Sequence, residues 1–203
     1  MPKVSDTHVK LRKEQILRAA DVCFLRKGFF NTTIADICGE AGLSAGAVYN
    51  YFKRGKNDII LALSKRIVKT KEELFDRVEK LEDAREALME VISYFLSSYS
   101  VWAAKYYGHI DLELYVESLR DERIRSVYTD GHERFLEVFS QIINKGQING
   151  EIRSDVDPKS FALHILVFMI GAVMKLRIDP EQDEKELLKS ASGSLLRNIW
   201  IDP

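Results

Sequence analysis

The chain has 203 residues, 46% hydrophobic and 30% charged, which gives material for a core of one or two domains and suits a soluble protein with solvated helix faces. No run approaches the roughly 20 consecutive apolar residues of a membrane span, and the N-terminus lacks the apolar core of a secretory signal, so a cytoplasmic protein with no membrane partner is expected. Four prolines and eleven glycines, separated by long periodic segments, predict an all-α chain of about nine helices.

Residues 1–8 are expected to be disordered. A first helix is predicted from Val9 to Lys27, with Leu17, Ala20 and Phe24 on one stripe, ended by Gly28, and with Phe29 and Phe30 anchoring the loop that follows. Cys23 and Cys38 fall on apolar faces and read as small buried hydrophobes, with a redox switch as the alternative. The most informative stretch comes next: TIADICGEAGLSAGAVYNYF, Thr33 to Phe52. Thr33 with Asp36 three residues on reads as a capping box, and Ile34, Ile37, Cys38 and Ala41 recur at helical spacing. Gly42 permits a left-handed turn, Leu43 plugs the corner, and Ser44 caps a second helix from Ala45 to about Phe52. Helix, glycine turn and capped helix form the pattern of a helix-turn-helix, whose second helix enters the DNA major groove. Ala45, Gly46 and Ala47 would let that helix approach DNA closely, while Tyr49, Asn50 and Tyr51 bring groups that commonly contact phosphate. A packing hairpin in some other helical protein is the competing reading.

These residues resemble the DNA-binding domain of the tetracycline-repressor (TetR) family of bacterial regulators. The match begins at Ile16–Leu17, Ala19–Ala20, Phe24 and Lys27–Gly28–Phe29. It continues through Thr32–Thr33, Ile37, Ala41–Gly42–Leu43–Ser44, Gly46, Val48–Tyr49, Tyr51–Phe52 and Lys56. One departure stands out: the family has two residues between the positions of Phe52 and Lys56, and here there are three, Lys53, Arg54 and Gly55. The resemblance implies phosphate contacts from Tyr49 and Lys56. Charge agrees with a nucleic-acid-binding head: residues 1–56 hold ten Lys/Arg against five Asp/Glu, and the remainder holds twenty against twenty-six.

A fourth helix, about Asn57 to Glu79, connects head to body, and a fifth starts near Asp83. Lys105 to Leu119 forms a further segment, and Asp121 caps a helix to about Lys145. A loop from Gly146 ends at Asp157–Pro158, an N-cap followed by a favoured first helical residue. Phe161 to Arg177 is apolar almost all round, so every face needs a cover, and a last helix runs from about Gln182 to Trp200.

The expected organisation is a helix-turn-helix domain over 1–56, a connecting helix over 57–80 and a ligand-binding and dimerisation domain over 81–203. DNA contacts are assigned to Thr33, Ser44, Ala45, Gly46, Tyr49, Asn50, Tyr51 and Lys56, with double-stranded operator DNA as partner. A homodimer is expected through Ala162, Ile165, Phe168, Val173, Leu188, Ala191 and Leu195, the alternative being that this helix is central to a monomer core. The resemblance implies a small ligand, and the aromatic side chains suit an apolar or cationic one. The candidates are Tyr99, Trp102, Tyr106, His109, Phe135, Phe139 and Phe168, although such a stripe also reads as plain core. With no GxSxG, phosphate loop, dinucleotide fingerprint, HExxH or zinc spacing, no catalytic residue, cofactor or metal is expected. The leading function is a repressor released by its ligand. A regulator of the same fold that activates or answers to a partner protein, and a helical enzyme with a DNA-binding appendage, are the alternatives.

Overall fold

A computed structural model describes residues 6–98, 108–179 and 181–201. These form nine helices: α1 Asp6–Asn31, α2 Ile34–Ala41, α3 Ala45–Tyr51, α4 Lys56–Val78, α5 Ala84–Ser98, α6 Gly108–Ser118, α7 Glu122–Ile148, α8 Pro158–Ile178 and α9 Glu184–Leu196. Among the described residues the only strand-like pairing is an isolated bridge between Ile152 and Trp200. The chain divides into two compact units, Met1–Ile67 with His109–Val127, and Val68–Gly108 with Tyr128–Pro203. Helices α4 and α7 therefore each begin in the first unit and end in the second. The segment 109–127 joins the N-terminal unit, a placement that domain limits drawn along the sequence do not anticipate.

In the first unit, Ile16, Leu17, Ala20 and Phe24 line one side of α1 and are buried together with Ile37, Val48 and Phe52. Helix α1 bends at Gly28, where φ is 72° and ψ 171°, and runs one more turn to Asn31. After the bend the two adjacent phenylalanines part company. Phe29 is buried and meets Phe24 edge-to-face at 4.4 Å, whereas Phe30 is 91% exposed, so only the first anchors the loop. Cys23 and Cys38 are both buried free thiols, and burial pushes the Cys23 pKa up, which makes it an inert packing group.

In the second unit, Leu74, Val78, Leu88, Val91, Phe135, Val138, Phe139, Ile143, Phe161 and Ile165 share one apolar core. Asp157 caps α8 by accepting the Ser160 amide at 2.8 Å, with Pro158 in the first turn. Helix α8 has two different sides. Phe161, Ala162 and Ile165 enter the core, while Leu163, Val167, Met174 and Ile178 are 47 to 78% exposed. By length and mean hydropathy Pro158–Leu176 would suffice to cross a membrane, although Lys159, His164 and Lys175 interrupt its apolar run. A core helix passes the same test, and its Phe161–Ala162–Ile165 side behaves as one.

Candidate nucleic-acid interface

The interface is built from α2, α3 and the turns on either side of them. Thr33 closes a complete capping box: its hydroxyl oxygen accepts the Asp36 amide at 3.1 Å, and its own amide donates to Asp36 Oδ2 at 2.8 Å. The Lys27 ammonium lies 2.6 Å from Asp36 Oδ1, and this bond, followed by those from Thr33, holds the Asp36 carboxyl well below the usual carboxylate range. Gly42 takes the left-handed conformation (φ 64°, ψ 35°), and the Leu43 amide returns to the Cys38 carbonyl at 3.0 Å. Ser44 then caps α3 by accepting the Ala47 amide at 3.2 Å.

Helix α3 has seven residues and one buried anchor, Val48. Ala45, Gly46, Tyr49 and Asn50 are exposed. At 100° per residue these four fall on one face, opposite Val48. Tyr51 is half-buried and lies toward the Val48 side, so it does not share that face. An added Cβ on Gly46 would meet nothing within 4 Å, which leaves the backbone there open to a close approach.

Lys56 stands apart from the role that the resemblance implies. Its Nζ donates to the carbonyls of Phe29 at 2.6 Å and Thr32 at 3.0 Å, and lies 3.5 Å from that of Phe30. The ammonium therefore caps the end of α1 and the loop after it, satisfying carbonyls that a helix end leaves unpaired. Thr32 works alongside: its buried hydroxyl donates to the Gly28 carbonyl at 2.7 Å. The three residues between Phe52 and Lys56, one more than the family pattern has, form a turn closed by the Gly55 amide on the Phe52 carbonyl at 2.9 Å, with Gly55 itself left-handed at φ 58°. A Cβ on Gly55 would stand 3.0 Å from the Tyr49 ring, so the glycine also seats that tyrosine.

Three charged residues that sequence reasoning passed over complete the frame. Arg54 N donates to Asp58 Oδ2 at 2.8 Å, and Arg123 on α7 reaches Asp58 at 3.0 Å and Asp121 at 2.7 Å. Glu113 on α6 accepts the Phe29 amide beside the Gly28 bend, where a Gly28 side chain would strike it. The bonds of Arg123 and Glu113 cross 65 and 84 residues of sequence, beyond what any local pattern reveals.

The sequence profile described as bacterial regulatory proteins, tetR family, matches residues 16–63, the capped helices just described and their flanks. The profile described as the C-terminal part of BetI-type transcriptional repressors matches residues 109–200. An uncharacterised helix-turn-helix regulator, YfiR of Bacillus subtilis, is 30% identical over 204 residues, covering 98% of this chain and 96% of that one. The chain belongs to the TetR family. It is a DNA-binding transcriptional regulator of a family whose members are not enzymes. TtgR of Pseudomonas putida is similar at 24% identity over 198 residues, covering 94% of this chain and 88% of its own. A transcriptional regulator from Saccharomonospora viridis, solved in complex with choline, shares the fold with a TM-score of 0.83. It is 23% identical and covers 95% of this chain and all of its own.

The other residues singled out in the sequence sort by burial. Phe135 and Phe139 stack at 4.1 Å in the second core, 3% and 0% exposed. Phe168 is half-buried, and His109 lies in the first turn of α6. Tyr99, Trp102 and Tyr106 lie outside the described residues, as do the side chains of Val173, Leu188, Ala191 and Leu195. Ala162 and Ile165 are 0% and 4% exposed within the protomer's own core, so they are not available to a partner. A cavity of about 230 Å³ in the second unit, lined among others by Val78, Leu81, Gln141 and Lys145, includes none of the aromatic candidates.

Proposed function

We propose that this regulator is a dimeric repressor, acting in the cytoplasm, that leaves a palindromic operator when a small molecule binds its helical body. The observation that carries the DNA half is the exposed Ala45, Gly46, Tyr49 and Asn50 face of α3, opposite the buried Val48. Ala45, Gly46 and Asn50 face the bases, and Tyr49, Ser44 and Thr33 position the head on phosphates, with Tyr51 at the margin. One seven-residue helix reads few base pairs. Two copies related by a twofold axis would read half-sites about one helical turn, ~10 base pairs, or a multiple of it, apart.

The second copy is drawn to the outer side of α8. Leu163, Val167, Met174 and Ile178 recur at spacings of four and seven, and with the exposed Gly171 they make one apolar stripe. An exposed stripe of this length calls for a partner, and a twofold copy supplies one. In this proposal the stripe takes the place of the buried Ala162 and Ile165, while Phe168, Val173, Leu188, Ala191 and Leu195 remain candidates for the same interface.

The ligand half rests on the family and on aromatic side chains. The Saccharomonospora viridis regulator holds choline. For this chain an apolar or cationic ligand follows the same chemistry, with Tyr99, Trp102, Tyr106, His109, Phe135, Phe139 and Phe168 as the candidate residues. Its binding would reach the head through α4, and through Glu113 of α6, which holds the Phe29 amide at the end of α1. Couplings of this kind are typically ~1–3 kcal/mol. Sedimentation should give a dimer, and melting with choline and a set of apolar compounds should show a rise in Tm with at least one. A monomer in sedimentation contradicts the dimer, and an unmoved Tm across the set contradicts the ligand.

A further inference from the structure

We infer that Lys53 and Arg54 are the phosphate-gripping cations of this regulator, in the place that the family pattern gives to Lys56. The inference rests on the DNA-binding reading and adds to it a turn that neither the family pattern nor the relatives assign.

Three observations carry it. First, Lys56 is occupied: its ammonium holds the Phe29 and Thr32 carbonyls at 2.6 and 3.0 Å with Phe30 at 3.5 Å, and an ammonium has three N–H groups to give. Turning it to a phosphate would strip the end of α1 of its cap. Second, Lys53 and Arg54 are exposed directly after α3, and among the described residues neither side chain makes a hydrogen bond or ion pair. Third, the turn is fixed rather than loose. Phe52 is buried, Gly55 is left-handed, and the Arg54 amide is tied to Asp58 Oδ2 at 2.8 Å.

The charge around the turn points the same way. The Asp58 and Asp121 carboxylates feel the Arg54 charge without forming an ion pair to it. Both are bonded to Arg123, at 3.0 and 2.7 Å, so the one guanidinium draws both carboxylates to itself. Lys53 and Arg54 themselves stay out of that ion-pair cluster and are exposed at the end of α3, whose Tyr49 ring packs over Gly55. An inserted residue that displaced Lys56 from phosphate would be a loss by itself. Here the lengthened turn presents two exposed cations directly after α3. Such contacts are sequence-independent and set affinity and its salt dependence, not base preference.

The test measures binding of the full-length protein to a short mixed-sequence duplex by anisotropy, between about 50 and 200 mM salt. Lys53→Ala/Arg54→Ala should reduce the slope of log K against log salt by about 0.9 for each cation removed per subunit, with the Tm unchanged. Arg54→Lys should keep the slope, and Lys56→Met should lower the Tm while the slope of the folded protein stays that of the unaltered chain. A slope unmoved in the double variant, or moved as far by Lys56→Met, overturns the inference. No salt-dependent binding by the unaltered protein overturns the DNA reading itself, and the inference with it.

Discussion

Helices α3 and α8 are held in place by opposite means. Helix α3 has seven residues, too few to persist alone, and it stands because Ser44 caps its start, Gly42 turns the chain into it and Val48 pins it to the head. Helix α8 has twenty-one residues and, although Asp157 caps its start, is held chiefly by apolar burial. Its apolar side chains bury one face in the second core and leave another face of equal character exposed. The short helix is specified by individual polar groups, so its exposed face is free to carry DNA contacts. The long one is specified by apolar area, so its function lies in what covers the rest of that area.

The sharpest way to break this contrast is to put a charge on the outer side of α8. Val167→Glu should convert the dimer to a folded monomer, seen by sedimentation with helicity retained by circular dichroism, because an unpaired carboxylate cannot be buried in an apolar interface. Next in size, Phe24→Ala should cost about 3–5 kcal/mol in denaturant unfolding, since it removes the ring that Phe29 meets at 4.4 Å in the small first core. Gly28→Ala should cost about 1–3 kcal/mol, because φ 72° with ψ 171° is a glycine conformation. The new Cβ would also fall 2.6 Å from Glu113 Oε1. Because Glu113→Ala alone removes the acceptor for the Phe29 amide, the clash is read from the double-mutant cycle, in which Gly28→Ala should cost less in the Glu113→Ala background than in the unaltered chain.

The smallest effects lie in the caps. Thr33→Ala should cost about 1 kcal/mol by removing the acceptor for the Asp36 amide. Asp36 gives the cap its pH dependence. Because the folded carboxyl titrates below its unfolded value, its contribution is complete above the unfolded pKa and fades as pH falls through the lower folded one. A carboxyl titration by NMR should find Asp36 still ionised at about pH 3.9, where an ordinary aspartate is half protonated. Lys27→Met should move its midpoint upward.

What could be read from the sequence follows the same division. The Thr33–Asp36 box, the Gly42 turn, the Ser44 cap and Asp157–Pro158 are fixed by residues within a few positions of one another, and all stand where local chemistry put them. The Lys56 bond to Phe29 spans 27 residues and depends on the Gly55 turn, so the family pattern alone assigned it to phosphate. Phe29 and Phe30 are identical in chemistry, and only the bend at Gly28 decides which one is buried. On α8, where nearly every position is apolar, periodicity does not separate the buried Ala162 and Ile165 from the exposed Leu163 and Val167. Segment 109–127 joins the first unit through side chains such as Glu113 and Arg123, whose partners lie far off in sequence.

The central claim is that two α3 faces read DNA as a symmetric pair, and selection of bound sequences from random duplex DNA tests it most directly. The account predicts enrichment of an inverted repeat whose half-sites lie about one helical turn, ~10 base pairs, or a multiple of it, apart. Enrichment of a single unrepeated site, or of no sequence at all, would contradict it.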